Sequence, residues 1–257
     1  MLCESYIVSV KFCYVLLLLV ACARGQASPA SLDAGFDKPL KTAVVDLGPS
    51  PYYKPSRKVR KKLSCFYYSK FAVKEYDEGQ KGAEWLSIVS SSSAPCALAH
   101  RADEKVIESQ EWSGYFWGAK DNYAIFGAPD GTDGGLPFVV FDVNKGRRIC
   151  EDSSILDYYE KALHLTDTFR ISSGSEHAPR LTYFRVVRAQ CNLKQKPAEC
   201  WNKVRQEFGI PQTDIPVCSG YERADWDSAV AYHASVLLVE PLTISSIDGP
   251  VSCWPTD

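Results

Sequence analysis

The sequence predicts a mainly β fold of the α+β class: an antiparallel β-meander with one or two short C-terminal helices packed on it, stabilised by disulfides. Three observations predict it. Aromatic and β-branched residues recur in runs of strand length, whereas long stretches rich in alanine, leucine and glutamate are absent. A change to helical period occurs late in the chain, over Pro197–Phe208. Seven cysteines after the N-terminal segment (Cys65, Cys96, Cys150, Cys191, Cys200, Cys218 and Cys253) are scattered, and none forms a C-x-x-C pair. A chain of 257 residues with net charge -2 can bury a full core and is not the strongly basic type that binds nucleic acid.

Phe12–Ala23 (FCYVLLLLVACA) is an apolar run preceded by Lys11 and followed by Arg24. As a helix it spans about 18 Å against a bilayer core of roughly 30 Å, so it fits a signal-peptide core better than a membrane span. Residues 1–23 are therefore expected to be a signal peptide, with Glu4 an oddity and a start at Val8 or Val10 an alternative. Leu19-Val20-Ala21-Cys22 also fits the lipobox of bacterial lipoproteins, which makes Cys22 a lipidation candidate; ordinary cleavage after Ala23 or a few residues later competes with it.

Residues 24–62 are proline-rich and read as a tether or irregular arm ending in a basic cluster, Lys54, Arg57, Lys58, Arg60, Lys61 and Lys62. Such a cluster can touch anionic envelope material, including lipid headgroups, and is a possible membrane tether. A solvated charge run before a strand explains it more simply.

A single domain is expected over 63–257, with a helical insertion near 197–230. Leu63–Tyr76 (LSCFYYSKFAVKEY) suggests one long, bent strand. Glu84–Val89 and Lys105–Glu108 suggest two more, after the Gly79–Gly82 turn and a serine-rich loop. Trp112, Tyr115 and Trp117 could form a sugar-stacking platform, but adjacent strand residues point to opposite faces, which favours a strand buried on both. Tyr123–Phe126, Phe138–Val143 and Arg147–Cys150 continue the meander, with Gly146 as the left-handed residue of a tight turn. Tyr158–Arg170 and Arg180–Cys191 read as further strands around a polar hairpin. Pro197 at the first turn, Gly209 just past the end and a stripe of Cys200, Trp201, Val204 and Phe208 define a docked helix. A second short helix is expected around Tyr221–Val230, followed by a strand over Ala234–Ile244 that Pro241 marks as an edge or a bend.

Two resemblances accompany these readings. YAIFGAPDGTDGGLPFVVFDVNKGRRI locally resembles one β-propeller blade, without the repeats a propeller needs. Together with CFYYSKFAVKEYDEGQKGAEWLSIV, the Cys191–Cys200-Trp201 helix and the terminal CWPTD, the chain is similar to a set of uncharacterised bacterial exported envelope or periplasmic proteins. That resemblance implies a class and a location but no activity.

Chemistry leaves few marks. Gly127–Gly135 (GAPDGTDGG) holds two weak calcium candidates, Asp130 and Asp133, too few oxygens for a site, so the glycines read as a hairpin tip. His100, His164, His177 and His233 show no metal spacing, and Ser173-Gly-Ser-Glu-His177 is one short loop rather than an assembled triad. Nothing suggests a cofactor. Cys191 with Cys200, Cys218 with Cys253 and Cys65 with Cys96 are the expected disulfides, leaving Cys150 as a buried thiol; the alternative is seven reduced cysteines in the cytosol. The function expected is non-catalytic, a structural or binding role for an envelope component, periplasmic or outer-membrane-associated. The alternative is a hydrolase acting on envelope glycans or peptides through carboxylates that leave no local motif.

Overall fold

Strand pairing begins earlier than the sequence suggests. In the computed structural model, which describes residues 34–156, 160, 165, 168–174, 178–220 and 226–256, β1 spans Lys41–Pro49 and pairs antiparallel with β2, Arg60–Tyr67. The irregular arm expected up to residue 62 is thereby corrected over these residues. Thr42, Val44 and Val45 are β-branched, and proline is confined to the end of the strand at Pro49, which a strand at a sheet edge tolerates. A 3-10 turn at Pro55–Arg57 reverses the chain, with Lys58 left-handed at φ 54°. The expected signal segment 1–23, the lipobox and Cys22 lie outside the described residues.

The single bent strand expected over 63–76 is two strands. The Tyr68 N–H donates to the Phe71 carbonyl at 2.8 Å, closing a hairpin at Ser69-Lys70 between β2 and β3, Ala72–Asp77. With β4, Trp85–Val89, and β5, Glu104–Glu108, these form an antiparallel sheet in the order β1-β2-β3-β4-β5.

The second sheet contains the expected meander: β6, Tyr115–Lys120; β7, Tyr123–Gly127; β8, Gly135–Asp142; and β9, Arg147–Ile155. Gly146 takes φ 60° in the β8–β9 turn. β10 (Phe169–Ser173) and β11 (Pro179–Arg188) follow. Of the strand expected over 158–170, only Phe169 and Arg170 lie in β10, and most of the remainder lies outside the described residues. β12 spans Ser228–Leu237, so the helix expected up to Val230 is corrected where it can be seen; residues 221–225 lie outside the described part. Ala229, Val230 and Ala231 are buried and pair with both β11 and β14 (Ser252–Pro255), and this two-sided pairing overrides the helix propensity of alanine. Pro241 falls beyond β12, before β13 at Ile244–Ser246. The order is β13-β12-β11-β9-β8-β7-β6, with β10 against β11 and β14 against β12.

Period-two alternation divides the core into layers. Ala124, Phe126, Val139 and Phe141 face the first sheet and pack with Val73, Leu86, Ile88 and Ile107. Ile125, Phe138 and Val140 face the opposite way, towards Trp201 and Val204 of α1, Pro197–Phe208. The sheet is thus sandwiched, which is why its central strands read as nearly continuous apolar runs. Pro197 begins α1 and Gly209, at φ 64°, ends it, while Lys196 makes no side-chain cap. Burying a side chain of this size stabilises by about 1.5–3 kcal/mol, so Trp201 and Val204, 1% and 0% exposed, anchor the helix.

Candidate functional site

The three disulfides brace the places where loops meet the sheets. Cys65 joins Cys96, Cys191 joins Cys200, and Cys218 joins Cys253, with Cα separations of 5.8, 5.8 and 4.6 Å. The first pins the loop after β4 onto β2. The second clamps the start of α1, where the side-chain cap is missing. The third ties β14 to the segment after α1. Cys150 is unpaired and buried in β9, and burial pushes its thiol up to about 11, so it is an unreactive core residue.

The glycine-rich stretch is the β7–β8 connection. Asp130 pairs with Lys81. The indole N–H of Trp254 donates to the Asp133 carbonyl at 2.9 Å, and a Cβ at Gly134 (φ 79°) would lie 2.7 Å from that indole. Glycine therefore lets this tip close on the C-terminal strand. Among the described residues no group of three or more His, Cys, Asp or Glu is placed to hold a metal ion. His164 and residues 175–177 lie outside the described part, so the Ser173–His177 loop does too in the main.

The basic cluster is split between the 3-10 turn and the start of β2. Arg60 Nε lies 2.6 Å from Asp46 Oδ2, and this bond, with a second from the Gly48 N–H, holds the Asp46 carboxyl below its usual value. Lys62 Nζ lies 3.3 Å from Asp77 Oδ2, and Arg57 sits over the Tyr53 ring at 5.8 Å. Lys54, Lys58 and Lys61 make no ion pair among the described residues. Lys58, Arg60, Lys61 and Lys62 line an open groove of about 510 Å³ with Asp46, Asp77 and Tyr115. Tyr115 is held there by donating to the Gln80 carbonyl at 3.1 Å and accepting from the Gly82 N–H at 3.0 Å. A second groove of about 500 Å³ flanks β1 beside Leu40, Ala43, Tyr67, Tyr68 and Pro95.

Of the proposed aromatic platform, Tyr115 lines the first groove. Trp112 is buried in the core between the sheets, and Trp117 stacks among Phe138 and Phe169 with ring centroids 6.2 and 5.1 Å away. β6 is covered on both faces, as alternation predicted.

Three buried polar clusters went unread in the sequence. Lys74 and Glu75 are consecutive in β3 and point to opposite faces. Lys74 Nζ sits 2.9 Å from Glu104 Oε2 and donates to the Ala97 and Ala99 carbonyls at 3.3 and 3.4 Å. Ser87 Oγ donates to the other Glu104 oxygen at 2.6 Å, and His100 Nδ1 lies 3.1 Å from it. Glu75 accepts the Phe116 N–H at 2.8 Å on the inner face. Burial pushes its carboxyl up to about 7, against the pull of that bond and of Lys62, with Asp77 adding to the rise. In the second sheet Asp152 accepts from Tyr183 and, at 3.0 Å, from Arg185, which also donates to Tyr232 at 3.0 Å. The available signal was FAVKEY, an adjacent charged pair in the middle of a strand otherwise apolar on both faces. In each cluster the polar atoms are turned on one another. Glu75 and Asp77 stand side by side on one strand face rather than opposed across a cleft, the arrangement a glycan-cleaving pair requires.

Comparison with known proteins found no match to a protein-family model, to a curated protein or to a solved structure.

Proposed function

We propose that this chain is an exported binding domain of the cell envelope that acts by holding a partner rather than by catalysis. The observation that carries this reading is the setting of β1, a sheet-edge strand with an open groove on each side, one of them rich in cations. Lys74 with Glu104, and Asp152 with Tyr183 and Arg185, are engaged with each other, and Glu75 with a backbone N–H, which suits rigidity more than chemistry. Three disulfides fit an oxidising compartment, and the apolar run before Ala23 fits a leader that delivers the chain there. Acylation at Cys22, or contact of the basic cluster with anionic headgroups, would keep the domain at a membrane.

The test is capture from solubilised envelope with the mature, oxidised chain as bait. A component retained in fixed proportion and displaced by excess free chain supports the reading. Multiple-turnover cleavage of envelope glycans or peptides by the purified chain overturns it. Intact mass of protein from its native host decides export: loss of residues 1–23 is expected, and an acyl increment on Cys22 would identify the anchor.

A further inference from the structure

We infer that β1 docks an extended peptide whose residues alternate between acidic and small apolar side chains, and which extends the first sheet by one strand. The inference rests on the binding reading above and names the class of partner.

It begins with the backbone. Among the described residues β1 pairs only with β2, so over Lys41–Asp46 its outer row of amides and carbonyls has no strand partner there; beyond it the Gly48 N–H is taken by Asp46 Oδ1 and Pro49 has none to offer. Long, flat, apolar edges are normally guarded by charge, bulges or covering loops. Here Lys41 and, at the other end, Pro49 with the irregular pairing after Asp46 guard only the ends of the strand, while Leu40 is 75% exposed and Val44 62% exposed. Such an edge is a template for an added strand, in which main-chain bonds supply affinity and alternate side chains supply specificity.

The grooves define those side chains. Val44 and Asp46 reach the first groove, whereas Lys41 and Ala43 reach the second, in keeping with the period-two alternation of β1. A strand laid along β1 would send successive side chains into the two grooves by turns. In the first, Lys58, Arg60 and Lys62 face two carboxylates, and both carboxylates are already bound, Asp46 to Arg60 and Asp77 to Lys62. Lys58 is left to meet an incoming acid, whereas Lys61 alternates with Arg60 and Lys62 onto the face of Leu63 and Cys65. In the second, Leu40, Ala43, Tyr67, Tyr68 and Pro95 offer an apolar wall, which the Cys65–Cys96 disulfide holds in place, and the one cation there, Lys41, lies over the Tyr67 ring at 5.4 Å. Charge on one side and apolar surface on the other select an acidic–apolar alternation. A second copy of β1 is a poorer match, because its one carboxylate, Asp46, is committed to Arg60. A phosphate or lipid headgroup would use the cations but leave the edge backbone unpaired.

The experiment titrates the oxidised mature chain with a short, end-blocked peptide alternating glutamate and valine, read by calorimetry and by hydrogen exchange of the β1 amides. Saturable binding that protects those amides is expected. It should be lost with an N-methylated peptide or a lysine-for-glutamate peptide, and weakened roughly tenfold in folded K58E. The inference is overturned if the N-methylated peptide, or a block peptide of the same composition, binds as well as the alternating one. It is also overturned if anionic vesicles bind and the peptide does not, or if the free chain is a dimer whose β1 amides are already protected. Failure here is separable from failure of the binding reading: a K58E bait that captures the same envelope component as the parent, with no peptide bound by either, leaves the binding reading standing and removes β1 as its site.

Discussion

Replacing Glu75 with glutamine tests the account of the buried charges directly. Glu75 is 7% exposed on the inner face of β3, and its carboxylate accepts the Phe116 N–H at 2.8 Å. Burial, first among the causes, raises its pKa from an ordinary 4.5 to about 7. Because the folded value lies above the unfolded one, the folded state binds the extra proton between them. This group therefore costs nothing below about pH 4.5, destabilises progressively as pH rises, and reaches its full cost above about pH 7. The gap between the two values corresponds to about 3 kcal/mol. Glutamine keeps an acceptor for Phe116 without the charge. Urea unfolding of the parent and Glu75→Gln between pH 4.5 and 8 should show near-equal stability at the acid end and a variant more stable by about 3 kcal/mol at the alkaline end. Other carboxylates titrate in both proteins, so the difference between the two curves is the quantity to read. Parallel curves would refute the argument, since they would mean that Glu75 is hydrated, or already paired, in the folded state.

The remaining predictions concern covalent, ionic and loop features. Removing the Cys191–Cys200 bond, whose cysteines are 9 residues apart, with paired serine substitutions should cost about 3 kcal/mol in denaturant unfolding; removing Cys65–Cys96, 31 apart, should cost about 4 kcal/mol, and the reverse order would contradict the chain-entropy account. Lys74→Met strands the buried Glu104 carboxylate and should destabilise by roughly 3–5 kcal/mol, with Lys74→Met/Glu104→Gln recovering much of it; a recovery near zero in that double-mutant cycle would show that the pair is not coupled. Asp130→Asn with Asp133→Asn should leave the melting temperature as insensitive to calcium as that of the parent, and a calcium-dependent rise confined to the parent would show that the loop binds the ion.

What could be read in advance was what local spacing encodes. Helix α1 carries its start at Pro197, its stop at Gly209 and its buried stripe within one segment, and its uncapped first turn made a clamp between Cys191 and nearby Cys200 a sound expectation. The centre of the meander, β7 and β8, announces itself because strands covered on both faces must be apolar on both. β1 was hidden for the converse reason. An edge strand covered on few of its side chains needs no apolar alternation, and the flanking prolines and lysines resemble a tether. β12 misled through its alanines, which fit a helix until strands on both sides claim the backbone.

By itself, then, the sequence determined the class of fold, the docked helix and the hairpin character of the glycine loop, because each follows from interactions between residues close along the chain. Only the tertiary structure decided that Lys74 meets Glu104, that Glu75 is sealed beneath Phe116, and that Asp46 neutralises Arg60 while Lys58, beside a strand that pairs on one side only among the described residues, makes no ion pair there. Those outcomes depend on strand register and on which sheet covers which face. Both are set by burying the whole core at once, and no local window of sequence contains them.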